Sequence, residues 1–323
     1  MNNFKKIGLS ALAGSLVAVS AHAADVSLSG GASVAITSAF DSDKTGYYMN
    51  DSVTLKVSGE TDGGLTVTTS LELDGDTGAG NSFDSKSIKI GSDSMGTITY
   101  AGHGGDSVVG GWDDVMPTAY EEPWDITSGA SAARINGVNG ENVWKYTSPT
   151  TAGVKVLIGH QYLNQGTAGT ANDVTVDSYT DFGIQIDPEM VEGLSIGYAT
   201  GELADTATTT IDHSTIWVKY AIGSVTVGYQ EHEADGPTAT KTDESQSYAV
   251  SYAINDDFSI SYGEREYNSG DSTTDQDDTA ISASYTMGGM TIAGGFNSSD
   301  NIAGSTAASS DKDSYEIGLS FAF

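Results

Sequence analysis

The 323-residue chain is predicted to be all-β, a sixteen-stranded antiparallel up-and-down barrel that crosses a membrane. Three observations predict it. Apolar residues recur at every second position, short Gly/Asp turns alternate with longer acidic loops, and the last segment ends on alternating aromatics. Period two is the signature of strands with unlike faces. Composition alone points elsewhere: Leu, Ile, Val and Phe are scarce, and 44 acids against 13 bases leave a formal net charge of −31, which in a chain without apolar order signals disorder. The alternation overturns that reading. A water-filled barrel has no side-chain core, because its outer face meets lipid and its inner face meets water, so half of every strand can be polar. Closure then satisfies every backbone hydrogen bond and leaves no edge facing hydrocarbon.

In chain order, residues 1–23 read as a cleaved signal peptide, with Lys5 and Lys6 at the charged start, an apolar run over 7–19 and Ala21-His22-Ala23 as the small-residue cleavage site. The run falls short of the roughly 20 residues that a spanning helix needs. The barrel is expected over 24–323. Val26, Leu28, Ala32, Val34 and Ile36 share one phase, as do Val53, Leu55 and Val57, then Leu65, Val67, Leu71 and Leu73, then Ile184 and Ile186, and Leu194, Ile196 and Tyr198. Charges with apolar neighbours test this phase: Lys56, Glu72, Lys89, Lys155, Lys219 and Glu316 all fall on the polar side. A slip of one residue would carry every one of them to the apolar face. Tyr198, Tyr220, Tyr229, Tyr248, Tyr252, Tyr262, Tyr285 and Tyr315 fall on the apolar phase, some near strand ends where interfacial girdles form.

Seven tight turns are read at 61–64, 92–96, 151–153, 187–193, 222–224, 255–257 and 288–289, and eight longer connections centre near residues 44, 79, 120, 170, 207, 239, 272 and 305. Fifteen connections make sixteen strands of about 10 residues. Short turns on one rim and long loops on the other describe an up-and-down barrel; Greek-key crossings would mix the lengths. A barrel of this size holds an aqueous lumen. Residues 101–140 are the longest strand-poor stretch, and a connection of that length implies a functional loop. At the end, Tyr315, Ile317, Leu319, Phe321 and Phe323 alternate with Glu316, Gly318, Ser320 and Ala322.

The counts also exclude function classes. Zero Cys removes disulfides, Cys-ligated metal and a thiol nucleophile. Arginine occurs only at 134 and 265 and lysines are scattered, so no basic stripe exists for nucleic acid. An outer-membrane barrel enzyme would need a catalytic constellation, yet His103, His160, His213 and His232 stand in neither a His-Glu-x-x-His nor a Gly-x-Ser-x-Gly setting. A calcium-binding adhesin would use loops such as 271–278, whose acids could ligate Ca²⁺, but EF-hand and nonapeptide repeats are absent. No cofactor is expected beyond such loop-bound Ca²⁺.

The opening Asp-Val-Ser-Leu-Ser-Gly at 25–30, the Gly-Glu-Thr-Asp-Gly-Gly-Leu turn at 59–65, Met95-Gly96-Thr97-Ile98 before the long loop, and the closing Gly-Leu-Ser-Phe-Ala-Phe at 318–323 resemble general, non-specific porins of Gram-negative outer membranes, most closely those of phototrophic and related alphaproteobacteria. The resemblance covers the mature chain, although the Pro-Glu-Phe-Gly-Gly loop motif of enterobacterial porins is absent. It implies passive passage of small hydrophilic solutes and ions, with the loop after the fifth strand (97–101) folded into the lumen. It also implies a homotrimer set in outer-membrane lipid and lipopolysaccharide, and a C-terminal strand read by the barrel-assembly machinery. In such porins loop carboxylates face basic wall residues. Here the loop offers Asp106, Asp113, Asp114, Glu121, Glu122 and Asp125, while lumen-phase bases are Lys56, Lys89, Lys155, Lys219 and Arg265, with Arg134 on the loop. The eyelet is therefore expected to be net negative and cation-preferring. A substrate-specific channel is the nearest alternative: Trp112 and Trp124 leave an aromatic sugar slide open, whereas scarce Arg argues against a phosphate ladder.

Overall fold

The computed structural model describes residues 24–41, 44–74, 83–132, 135, 137–162, 178–206, 209–236 and 242–323. The expected signal peptide and Arg134 lie outside the described residues. Strands β1 (Asp25–Asp41), β2 (Lys44–Glu60), β3 (Thr66–Asp74), β4 (Ser85–Ser92) and β5 (Gly96–His103) precede the long loop, which contains the two-residue strands β6 (Gly105–Asp106) and β7 (Asn139–Gly140). After it come β8 (Val143–Thr147), β9 (Val154–Tyr162), β10 (Ser178–Ile186), β11 (Leu194–Thr206), β12 (Thr209–Ile222) and β13 (Val225–Asp235). The chain finishes with β14 (Asp243–Ala253), β15 (Phe258–Asn268), β16 (Gln276–Met287), β17 (Met290–Asp300) and β18 (Lys312–Ala322). All but β6 and β7 form one closed barrel in which sequence neighbours pair antiparallel, β5 pairs with β8 across the loop, and β18 returns to β1.

The turns form where the sequence supplies the required backbone. Gly64 and Gly96 adopt φ of 77° and 76°, which side chains with a Cβ resist, and at 255–257 the Asn255 carboxamide oxygen accepts the Asp257 and Phe258 N–H groups instead. Burial is inverted relative to a water-soluble protein: Val26 and Leu28 are 58% and 65% exposed on the outer face, whereas Gln230 and Asn297 on the inner face are 1% and 0% exposed. Outer-face tyrosines point their polar tips toward the loop rim, with the Tyr229 hydroxyl donating to Glu231 at 2.6 Å and the Tyr262 hydroxyl to Glu264 at 2.5 Å. An amphipathic ring at the lipid–water boundary has that orientation.

Two expectations need correction. The connections centred near 44 and 207 are not long loops, because β1 runs to Asp41, β2 begins at Lys44, β11 runs to Thr206 and β12 begins at Thr209. These strands reach 17, 17, 13 and 14 residues, longer than the length assumed, since adjacent polar residues such as Thr37-Ser38 and Thr209-Thr210 interrupt the apolar phase that marked the strands in the sequence. Likewise 101–103 belong to β5, so the long loop begins at Gly104.

Closure rests on the chain ends. Val34 lies opposite Leu319 and Ala32 opposite Phe321, and beyond the ladder the Gly30 and Phe323 backbones exchange two 3.0 Å hydrogen bonds. A Cβ at Gly30 would lie 2.6 Å from the Ser52 carbonyl oxygen and 2.9 Å from the Phe323 ring. Gly30→Val should therefore destabilise the closed barrel by about 1–3 kcal/mol. The check is the temperature at which the folded form loses its heat-modifiable gel mobility; no change would mean that the seam tolerates a side chain there.

Candidate functional site: the loop inside the barrel

The long loop turns inward at once. Gly104 takes φ of 62°, and a Cβ there would sit 2.8 Å from the Ser85 Cβ. β6 pairs with β7 as a neck, with the Ser107 N–H donating to the Val138 carbonyl at 3.0 Å. Past the neck, Val108, Val109 and Trp112 pack on Leu157, Ala199 and Trp217 of the wall, and near the return Ala132 and Ile135 pack on Ala234 and Tyr267. These are the apolar residues a lumen would otherwise lack. Gly183 makes room for the first cluster: a Cβ there would fall 2.6 Å from Val108 Cγ1.

Alongside and between the apolar clusters the wall grips the loop backbone with polar side chains. Asp181 accepts the Val109 N–H at 2.8 Å, Gln230 donates to the Trp112 carbonyl at 2.5 Å, and Ser261 accepts the Ala119 N–H at 2.8 Å. Asn297 donates to the Glu122 and Pro123 carbonyls at 2.9 and 2.8 Å, and Gln276 to the Ala130 carbonyl at 2.8 Å. At the turn of the loop, the Tyr120 hydroxyl and the Tyr48 hydroxyl both donate to Glu316 Oε1, at 2.5 and 2.6 Å. The loop is thus laid along the wall from β10 to β18. The facing wall, β2 to β5, keeps a hydroxyl-lined recess of about 570 Å³ with Thr68, Ser70 and Thr99 on its sides.

The six loop acids do not share one environment. Asp106, Asp114 and Asp125 are exposed, Asp113 and Glu121 are half-buried, and Glu122 is 3% exposed. Glu122 Oε1 accepts the Met116 N–H at 3.1 Å, while burial, then Asp114 and Asp125, push its carboxyl up to about 9. Burial and the neighbouring Asp114 raise Asp113 to about 6. Glu121 is raised by burial, with Glu316 and Asp114 adding to it. One carboxylate oxygen from each of Asp114, Glu122 and Asp125 converges to within 4.8 Å.

The basic residues separate in the same way. Arg265 sits on the lumen phase but does not face the passage: it is 4% exposed, gives Nε and Nη2 to Asp278 Oδ2 at 2.9 and 2.6 Å, and lies 4.3 Å from the Trp124 ring centroid. Its Nη2 also donates to the Ala130 carbonyl at 2.5 Å, so it clamps the loop. This corrects the expectation of a free pore arginine; phase reveals which face a residue occupies, not whether a loop covers it. Lys56 and Lys89 line the recess near the short-turn rim, Lys155 stands one residue into β9 opposite Gln185, and Lys219 lies 5.6 Å from the Trp217 ring. Tyr315, Ile317, Leu319, Phe321 and Phe323 all lie exposed on the outer face.

Sequence reasoning missed Lys145. Its Nζ lies 3.4 Å from where a Gly111 Cβ would be, and its charge acts on Asp106, so it is the wall base set against the loop's entry. The signal was present, since Trp144-Lys145-Tyr146 is a charge between apolar neighbours. The anchors Asp181, Gln230 and Asn297 gave no such signal, because a polar residue on the lumen phase looks the same whether it meets water or the loop.

The clamp can be tested at Asn297. Asn297→Leu would strand two buried carbonyls, each costing about 1–3 kcal/mol. Single-channel records of the variant should show added noise and substates while the gel mobility of the folded barrel stays unchanged; a quiet record would mean that other contacts hold the loop.

A family model described as Gram-negative porin matches residues 8–323. No curated protein matches the chain. Among solved structures, the anion-selective porin from Comamonas acidovorans has a TM-score of 0.67 at 16% identity, covering 93% of this chain and 100% of that one. A mutant of Rh. blastica porin gives 0.66 at 15% identity with 93% and 100% covered, and Salmonella typhi OmpF in complex with daunomycin gives 0.70 at 13% with 92% and 97% covered. At these identities the likeness establishes the fold. Family and barrel together point to a channel rather than an enzyme. With the family match running nearly end to end and its sixteen strands closed around a loop-narrowed lumen, the chain belongs to the Gram-negative porin family and is a channel of the outer membrane.

Proposed function

We propose that this channel is a general diffusion porin, passing small hydrophilic solutes and ions with a preference for cations. The observation that carries the reading is the sorting of charge at the loop: exposed or half-exposed carboxylates at Asp106, Asp113, Asp114 and Glu121, while Arg265 is locked under the loop by Asp278. A narrow passage with low-dielectric walls amplifies such an imbalance. The shared fold does not set the sign, since the Comamonas porin described as anion-selective has the same barrel; the side chains must. General diffusion is favoured over a sugar-specific channel because Trp112 and Trp124, which an aromatic slide would need, are buried against the wall. In this reading the protein works as a homotrimer surrounded by outer-membrane lipid and lipopolysaccharide, with no resident cofactor required for passage. The alternating outer-face residues of β18 would serve the assembly machinery.

The test is reconstitution in a planar bilayer, with single-channel conductance and reversal potential in a KCl gradient measured in chelator. Wild type should give large ohmic steps and cation preference, and the triple variant Asp106→Asn, Asp113→Asn, Glu121→Gln should lose a substantial part of that preference with little loss of conductance. Anion preference in the wild type, or no channels from correctly inserted protein, would overturn the reading.

A further inference from the structure

In a chain with 44 acids and 13 bases, an unanswered lysine is the exception. On the covered side of the lumen Arg265 is held by Asp278, and at the loop's entry the charge of Lys145 acts on Asp106. Lys56 and Lys89 are different. Both are exposed, and among the described residues neither makes a hydrogen bond or an ion pair. They stand on the strands that flank β3, Lys56 opposite Ser70 and Lys89 opposite Thr68, so two strand spacings, about 10 Å, and a short stagger separate their backbones. Flexible four-carbon stems span that gap, and both ammonium groups can reach one molecule. Their other neighbours are neutral: Thr68, Ser70, Ser87 and Thr99 line the same recess of about 570 Å³, and Asp93, in the turn after β4, is the one acid of the lining. The recess is therefore net positive in a protein whose net charge is −31. It lies toward the short turns, since Lys56 is near the end of β2 at Glu60 and Lys89 near the end of β4 at Ser92, whereas the loop is laid along β10 to β18. A lone exposed lysine is satisfied by water. Two on one concave wall add their fields, and the concavity focuses them.

We propose that this recess is a subsite for small organic phosphates with a hydroxylated body, the class to which hexose phosphates belong. An ammonium offers three donors and no acceptor, which suits a phosphate, and two of them match the charge of its dianion. Serine and threonine hydroxyls both donate and accept, as the hydroxyls of a sugar do, so they pair with the body of the solute where lysine cannot. A volume of about 570 Å³ falls within the roughly 300–1,000 Å³ of cavities that hold small organic molecules. It is one subsite on one wall rather than a file of bases, so it delays a phosphate in passing and excludes no other solute. Cations keep the path along the loop carboxylates while the phosphate is held on the opposite wall, nearer the short turns. A solute entering from the short-turn mouth meets the subsite first, which makes its effect on the current sided; that sidedness rests on the channel reading, and binding itself does not.

The test uses the full chain, with glucose-6-phosphate as the probe. In single-channel records it should interrupt the KCl current in a saturable way, more from the short-turn side than from the loop side at equal concentration. Lys56→Gln with Lys89→Gln should weaken that block at least about tenfold, because each lost contact is a hydrogen bond to a charged group. Lys155→Gln, outside the recess, should leave it unchanged. Thr68→Val with Thr99→Val should weaken block by glucose-6-phosphate and spare block by inorganic phosphate. On the folded protein in detergent, broadening of the probe's phosphorus NMR signal should rank the variants in the same order without a channel being needed. The lysines are exposed and unpaired, so the variants should keep the folded gel mobility; if the double variant loses it, Lys89→Gln alone carries the comparison, with a smaller drop expected. Equal block and equal broadening in wild type and lysine variants would overturn the subsite and leave the channel reading standing. Block by uncharged glucose as strong as that by its phosphate would overturn the phosphate assignment. Variant-sensitive broadening by a protein that forms no channels would uphold the subsite and sink the channel reading.

Discussion

A backbone amide in hydrocarbon has no water to bond, and the ladder between β1 and β18 removes the last pair of edges that would otherwise face lipid. Everything else in the molecule depends on that seam. Once the sheet is closed, apolar side chains can face outward without exposing an edge, and the inner face no longer needs a packed core. The scarcity of large apolar residues becomes an asset, because lipid takes over the role that an interior plays in a water-soluble protein. The exchange of hydrogen bonds between Gly30 and Phe323 carries the seam one pair beyond the ladder.

The lumen is not empty of structure. The loop brings Val108, Val109, Trp112 and Ile135 inside and lays them on Leu157, Ala199, Trp217, Ala234 and Tyr267, so a miniature core exists between loop and wall rather than between sheets. Polar side chains on β10 to β18 then satisfy the loop's backbone groups in the places where water has been displaced. Each contact is worth about 1 kcal/mol net. Distributed along the loop, they hold a segment that has little regular secondary structure of its own.

What was legible in the sequence follows from which residues feel two different solvents. Val26 to Ile36 alternate because one face meets lipid and the other water, so phase and tight turns could be read directly. The long ends of β1, β2, β11 and β12 could not, since adjacent polar residues such as Thr37-Ser38 and Thr209-Thr210 leave no apolar phase to follow. Loop position was legible from its length, but its course was not: a loop has no phase, so nothing in the sequence distinguished buried Glu122 from exposed Asp114. Arg265 was placed on the correct face and given the wrong neighbour, because its partner Asp278 lies on the next strand and its cover, Trp124, arrives from far along the chain. Lys145 obeyed the same flanking rule as Lys56 and Lys89 and was legible in principle.

The one-sided docking of the loop divides the inner wall into two populations with different freedom to change. Positions such as Asp181, Gln230 and Asn297 are held by what they carry, and replacing them disturbs the loop before it disturbs a solute. Positions such as Thr68, Ser70 and Thr99 on the open side line the recess together with Lys56 and Lys89 and anchor no part of the loop backbone in the contacts described above. A lineage, or an engineer, can therefore retune what the passage admits by altering the open half alone, with the scaffold of the other half left intact. Adaptation of permeability and preservation of the fold are assigned to opposite sides of the same ring.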